Sequence, residues 1–254
     1  MKHNILLIGR GHWGKNYIST LTNYFPDISL KVANRESWKS LIDEKPDGVI
    51  IATPPQSHIE IASYALEKNI AVMIEKPLAL SLSEAEKLKQ YTAPILVNHI
   101  YLFSNQYQEL KNIIKDRKIT KIVSLGFNKG PIRDYSSLLD YGCHDIAMIL
   151  DLVEECPEKV DITETKTQSG SLFKINMKFK TLDSESLVGN GGEKRVRKLK
   201  VEFDGLKLVY DDKPTDDYNS PLINALKVFI GDIDGDGDYR IGLGLSLKVM
   251  KIAV

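Results

Sequence analysis

The sequence predicts a two-domain protein, an α/β domain on a parallel sheet followed by an α+β domain on a mostly antiparallel sheet. Three observations carry this expectation. Over the first hundred residues, short apolar runs alternate with helical periodicity, the pattern of a parallel sheet covered by helices. A glycine-rich run closes the first apolar segment and opens the first helical one. Beyond Lys159 the strand-like stretches follow one another without helices between them, the pattern of antiparallel neighbours.

Taken in order, residues 4–9 (NILLIG) form a continuous apolar run stopped by glycine, as expected of a strand buried on both faces. Trp13, Tyr17, Leu21 and Tyr24 then recur at intervals of four and three, the stripe of one helix face. Residues 29–34 read as a second strand, 36–44 as a short helix and 47–53 as a third strand. Residues 54–69 read as a turn and an amphipathic helix, and 70–75 as a fourth strand. Residues 81–92 read as a helix, with Ser83 and Glu86 in capping-box spacing, and 94–103 as a fifth strand ending near His99. The pattern changes after Phe103, so the boundary is expected between Asn98 and Asn105, dividing the chain into 1–100 and 101–254. The second part opens with a helix (105–116), a strand (119–130) and a strongly apolar helix (136–153). Strand-like stretches follow at 160–168, 172–181, 185–191, 194–203 and 206–212, separated by turn residues such as Asn190-Gly191-Gly192 and Asp204-Gly205. The end holds a helix, a polar loop and a closing helical stretch, and the terminal helix is expected to pack back on the first domain.

Composition bounds the function. Lys and Arg number 34, as do Asp and Glu, so the formal charge is zero. That argues against nucleic acid, whose binders carry a basic excess, and gives no electrostatic reason for binding an anionic membrane. No apolar run approaches the ~20 residues needed to cross a bilayer. Cys143 and Cys156 are too few for a disulfide framework and lack metal-ligand spacing, so no metal site is expected. With no secretory signal, a cytoplasmic location follows. Asp232 to Asp238 (DIDGDGD) lacks the glutamate at position twelve of a calcium loop and reads as a polar turn. Lys194, Arg195, Arg197 and Lys198 read as a solvated basic face, and His3 as a surface residue.

Gly9, Gly11 and Gly14 have dinucleotide spacing, and here the run follows a strand and opens a helix, the context that gives the motif meaning. Gly9 permits the tight turn, Gly11 lets the backbone approach a pyrophosphate, and Gly14 lets the helix pack on the sheet. The helix amino terminus offers N–H groups and a positive dipole end to the phosphates. Arg10, His12 and Trp13 fill the loop between these glycines and shape it. The domain is therefore expected to be a Rossmann sheet binding NAD or NADP. The second strand ends in Asn34 and Arg35 where an acidic residue usually holds the ribose. Arg35 either pairs with a 2′-phosphate, which favours NADP, or is a solvated arginine.

Four stretches, LLIGRGHWGKN, DGVIIATPPQSH, VMIEKPLA and LLDYGCHDIAMILDL, together resemble the Gfo/Idh/MocA family of glucose-fructose oxidoreductase and inositol dehydrogenase type, especially members acting on nucleotide sugars. The likeness runs over nearly the whole chain. It implies an NAD(P)-dependent oxidoreductase that transfers a hydride between nicotinamide and a hydroxyl or keto carbon of a sugar or nucleotide-sugar. It implies that Lys76 hydrogen-bonds the reacting oxygen and steadies its charge, with Glu75 and Pro77 setting the loop. It implies that His144, a residue type that titrates near neutrality, is the general acid/base. Asp140, four residues earlier and so on the same helix face, assists or touches substrate. Asp145 is expected to be structural. Thr53, Pro54, Pro55 and His58 are placed at the cofactor edge of the third strand, with no catalytic part for His58. His99 is either a cofactor neighbour or a packing residue. The cofactor set is thus Gly9, Arg10, Gly11, His12, Trp13, Gly14, Asn34, Arg35, Thr53, Pro54, Pro55, His58, Glu75 and Lys76. The resemblance implies a homodimer or homotetramer built through the open face of the second sheet, and the alternation over residues 172–179 is compatible with one covered face.

The chain departs from the family in length. Only about a dozen residues separate Asn34 from Gly48, where the family has a further strand and helix. The second strand then becomes a sheet edge, and contacts around adenine and ribose are lost. The alternative is a trimmed, non-catalytic relative that binds a sugar-like ligand or a protein partner.

Overall fold

The computed structural model describes residues 3–212, 220–235 and 242–254. The chain divides into two compact units, one running to Ile100 and taking in the described residues from Ser220 to Leu247, the other holding Tyr101 to Asp212 and Lys248–Val254.

The first unit is a Rossmann sheet. β1 (His3–Ile8) leads into α1 (His12–Tyr24), β2 (Ile28–Ala33), α2 (Trp38–Asp43) and β3 (Gly48–Ile51). After α3 (His58–Leu66) come β4 (Ala71–Glu75), α4 (Leu82–Glu86) and β5 (Ile95–Asn98). The strands pair in parallel in the order β2-β1-β3-β4-β5. That is the dinucleotide-binding order 3-2-1-4-5-6 with its outermost strand on one side deleted and the rest renumbered. β2 is therefore an edge, as its short connection to β3 requires. Ile5 to Ile8, Val49 to Ile51 and Val72 to Ile74 are all at most 2% exposed, because helices cover both faces of the sheet. The strand order reverses between β1 and β3, and ligands of such sheets bind outside the carboxyl ends at that switch point.

Three local expectations change. Tyr24 is 51% exposed, so the apolar stripe of α1 ends at Leu21. The cap of α4 is Ser81, whose Oγ accepts the Glu84 N–H at 3.3 Å; Ser83 and Glu86 share the spacing but lie inside the helix. The fifth strand stops at Asn98, and Ile100–Phe103 form a 3₁₀ turn.

The second unit begins with α5 (Asn105–Ile114), capped by Ser104, then β6 (Ile119–Lys129) and α6 (Cys143–Val153). A π turn over Leu138–Gly142 leads into α6. β7 (Lys159–Thr167), β8 (Gly170–Lys178), β9 (Asp183–Gly189), β10 (Gly191–Phe203) and β11 (Leu206–Asp211) complete a six-stranded sheet in the order β11-β10-β6-β9-β8-β7. Here Asn190-Gly191-Gly192 is no hairpin between partners. β9 runs parallel to β6, β10 antiparallel to it, and the chain crosses the end of β6 through Asn190 alone. Gly189 has φ +140°, and a Cβ there would lie 2.1 Å from the Ser171 carbonyl oxygen. Along β8, Phe173, Ile175 and Met177 are buried while Lys174 and Lys178 are exposed, one face covered and one open.

α7 (Ser220–Asp234) returns to the first unit, where Phe229 and Ile233 pack on Gly48. Asp232 to Asp234 of the supposed polar turn thus end a helix, and Asp232 is buried; Asp236 to Asp238 lie outside the described residues. His3 is likewise no simple surface residue: its side chain is 15% exposed and Nε2 faces Asp234 at 3.3 Å. α8 (Leu243–Ala253) closes the chain, and Gly242 before it bridges Leu96 of β5. Among the described residues, no helix is long and apolar enough to cross a membrane.

Candidate active site

In the first unit the glycine loop sits at the switch point. Gly9 has φ +114°, and a Cβ there would lie 2.3 Å from the Ala52 carbonyl oxygen at the end of β3. A Cβ on Gly14 would lie 2.2 Å from the Gly9 oxygen. These two glycines are needed by the turn itself. Gly11 is different: a Cβ there meets nothing within 4 Å. Gly11 is the N-cap of α1 and supplies no side-chain hydrogen bond, so the first N–H groups of the helix face outward. A glycine with no steric reason of its own, over uncapped N–H donors, is the cradle an anionic diphosphate fits. Arg10 fixes the loop, donating from Nη2 to the Val32 carbonyl at 3.1 Å. His12 is exposed and Trp13 half-buried, with their rings edge to face at 6.4 Å.

Asn34 is used locally. Its Oδ1 accepts the N–H groups of Glu36 at 3.0 Å and Ser37 at 2.8 Å, forming the turn into α2. Arg35 beside it is exposed. Thr53, Pro54 and Pro55 follow β3 at the carboxyl edge, with Thr53 Oγ1 accepting from Ser57 at 2.8 Å. His58 does not present its ring to a ligand. It is fully buried, with Nε2 2.8 Å from the Thr53 carbonyl and Nδ1 3.0 Å from the Pro77 carbonyl. Burial depresses its pKa and these carbonyls oppose the depression. His58 therefore braces the exits of β3 and β4 against each other rather than touching cofactor.

Lys76 follows β4, is partly exposed, and is joined to Pro77 by a cis peptide. Glu75 before it is buried and also removed from direct ligand contact: Oε1 accepts from Tyr17 Oη and Asn98 Nδ2, each at 2.7 Å. His99 is buried, with Nε2 3.1 Å from Ser246 Oγ. Burial, and then the charge of Lys76, lower its pKa to about 4, so it is a neutral neighbour of the lysine.

In the second unit the π turn and α6 carry Asp140 and His144, both buried. Arg133 Nε approaches Asp140 Oδ2 at 3.6 Å. The His144 ring stands edge-on to Tyr101 at 4.8 Å. The Arg197 guanidinium lies 4.5 Å from the centroid of the Tyr101 ring and ion-pairs with Asp145. Asp145 is thus structural, as expected. Burial pushes its carboxyl up and Arg197 opposes this. The basic face is corrected: Arg197 is fully inside, Arg195 pairs with Asp212 and Lys198 with Asp211. From sequence, Arg197 reads only as one of a solvated basic run and Tyr101 carries no marked role. The signal was the alternation of β10, in which Arg197 shares the inward phase of Leu199, Val201 and Phe203. A cavity of about 270 Å³ opens beside Asp140, walled also by Arg133, Ser137, Lys166, Thr167 and Asn190.

A family model described as "Oxidoreductase family, NAD-binding Rossmann fold", that of Gfo/Idh/MocA, matches residues 27–94. Glucose-6-phosphate 3-dehydrogenase of Bacillus subtilis (strain 168) is 38% identical over 80 residues, covering 32% of this chain and 23% of that protein. The scyllo-inositol 2-dehydrogenase (NAD(+)) of the same organism is 30% identical over 112 residues, covering 42% and 32%. The matched chain thus spans less than a third of either curated relative. In three dimensions, a protein of Magnetospirillum magnetotacticum MS-1 assigned as an oxidoreductase is 26% identical with TM-score 0.86, covering 100% of this chain and 99% of that one. Apo scyllo-inositol dehydrogenase from Lactobacillus casei, 14% identical with TM-score 0.87 over 99% and 94%, shares the fold. The family match spans β2 to β4 of the Rossmann sheet, and the likeness of fold runs along the whole chain.

Proposed function

We propose that the chain is an NAD(P)-dependent oxidoreductase acting on a hydroxyl or keto carbon of a sugar or nucleotide-sugar. The observation that carries this is Gly11, open to space over the uncapped start of α1 at the switch point, with Lys76 at the carboxyl end of β4 in the same sheet. The backbone of Gly9–Gly14 would hold the pyrophosphate, and Thr53–Pro55 the cofactor edge of β3. When bound, nicotinamide supplies the hydride acceptor or donor. Lys76 donates a hydrogen bond to the reacting oxygen and stabilises charge developing on it. His144 takes the hydroxyl proton in oxidation and returns it in reduction. Asp140 orients the substrate hydroxyl, with Arg133 balancing its charge. Tyr101 and Arg197 fix the plane of His144. The exposed Arg35 favours NADP, through a 2′-phosphate. A homodimer would form on the open face of the second sheet, where Val123, Leu125 and Leu187 stand between lysines.

A second reading is favoured by one observation: the Asn34 side-chain oxygen is committed to its own turn and is not available as ribose acceptor. On that reading the chain binds a sugar-like ligand or a protein partner without turnover. Titration of the purified protein with NADH and NADPH, followed by fluorescence, separates the two. Saturable binding, then turnover lost at least a hundredfold in Lys76→Ala with an unchanged melting curve, is the expected result. Absence of binding by folded, cofactor-free protein would favour the non-catalytic relative.

A further inference from the structure

Behind Lys76 lies a polar cluster with no obvious structural purpose. Tyr17 comes from α1, Glu75 from the end of β4 and Asn98 from the end of β5, and all three are at most 5% exposed. Tyr17 Oη donates to Glu75 Oε1 at 2.7 Å. Asn98 Nδ2 donates to the same oxygen at 2.7 Å and to Tyr17 Oη at 2.8 Å. Both donors aim at one carboxylate oxygen, and hydrogen bonds donated to a carboxylate favour its ionised form. An apolar core would be satisfied more simply by three hydrophobic residues of the same size. The carboxylate lies next in sequence to the one lysine the family motif singles out.

We propose that Tyr17 and Asn98 are positioning residues for Lys76: by holding the Glu75 carboxylate ionised in the sheet, they give the lysine a fixed counter-charge that keeps it protonated. This rests on the reading of Lys76 as the residue that binds the reacting oxygen. The described titratable groups around the pair are Tyr17 on α1, His99 after β5 and, beyond Pro77, His58 on α3. Burial raises the Glu75 pKa, and Tyr17, Asn98 and Lys76 act against that rise. His99, depressed to about 4, is neutral and does not compete for the carboxylate. Burial already outweighs these three, and removing either donor would raise the Glu75 pKa further.

The test needs no turnover. Glutamate carboxyl ¹³C titration by NMR, with E75Q identifying the Glu75 signal, is run on the full chain, Y17F and N98A. In parallel, pH-dependent labelling of Lys76 by trinitrobenzenesulfonate is followed by peptide mass spectrometry in the full chain and E75Q. The expected results are a rise of about one unit in the Glu75 midpoint in Y17F and N98A, and a fall of about one unit in the Lys76 labelling midpoint in E75Q. An unmoved Glu75 midpoint in folded Y17F, or an unmoved Lys76 midpoint in E75Q, overturns the proposal. Y17F removes one oxygen and keeps the ring, so it serves even where N98A fails to fold. Both shifts in a protein that turns over no substrate would count against the oxidoreductase reading and leave the network standing.

Discussion

At the scale of single residues, the second unit is organised around a buried charge pair. Arg197 is 5% exposed and Asp145 is fully buried, and Gly126 on β6 makes room for both: a Cβ there would lie 2.1 Å from Asp145 Oδ2 and 2.4 Å from Arg197 Nη1. Taking either charge from water is costly, and the cost is recovered only while its partner remains. Arg197→Ala is therefore expected to destabilise the protein by about 3–5 kcal/mol, because it strands the Asp145 carboxylate. The double change Arg197→Met with Asp145→Leu should cost less than the single one. Urea unfolding of the three proteins checks this, and a double variant as unstable as Arg197→Ala would count against a stranded charge. The basic run from Lys194 to Lys198 hid this pair because composition alone cannot tell the inward arginine from its outward neighbours. The strand phase could, since Arg197 keeps step with Leu199 and Val201. Glu75, by contrast, was legible as part of a motif but not as a buried carboxylate, since its partners Tyr17 and Asn98 lie 58 and 23 residues away.

At the scale of elements, the turn from β1 into α1 separates structural from ligand-driven glycines. Gly9→Ala and Gly14→Ala each force a Cβ onto a backbone oxygen, at 2.3 and 2.2 Å, and Gly9 also has φ +114°. Both should lower the melting temperature by several degrees, since strain of this kind costs on the order of 1–3 kcal/mol. Gly11→Ala meets no atom within 4 Å and should leave the melting temperature unchanged. If the loop holds a pyrophosphate, the same methyl group stands where the phosphates approach, and dinucleotide affinity should fall at least tenfold. Melting curves and NADH titrations of the three variants read both effects, and a Gly11→Ala protein that binds like the unaltered chain would speak against the pyrophosphate site. The strands of the first unit were legible because parallel strands buried on both faces read as unbroken apolar runs. The crossing at Asn190 was not: β9 and β10 are adjacent in sequence but separated by β6, and only long-range pairing decides that. The α4 cap was missed by two residues because Ser81 and Ser83 each have a glutamate three positions on.

At the scale of the whole molecule, the deleted strand-helix unit decides how a dinucleotide would be held. β2 is the sheet edge on the side where the adenosine half of the cofactor lies in a full-length sheet. Asn34 spends its side-chain oxygen on the N–H groups of Glu36 and Ser37, which takes it out of use as an acceptor for the ribose hydroxyls. The pyrophosphate and nicotinamide halves keep their supports: Gly9–Gly14 on α1, and the Lys76 loop braced by His58 to the end of β3. Binding energy should therefore be concentrated on the diphosphate and nicotinamide ends. Competition against NADH measures this. AMP should displace NADH poorly, and reduced nicotinamide mononucleotide, which also carries one phosphate, should bind within about tenfold of NADH, a difference of about 1.4 kcal/mol. In a sheet with the outer strand and an acidic ribose ligand, the adenosine half contributes far more than that. Strong displacement by AMP would mean that other residues, such as the exposed Arg35, rebuild the adenosine site. The Arg35→Ala variant tells which, because only a site resting on that guanidinium would lose its grip on a 2′-phosphate while keeping NADH.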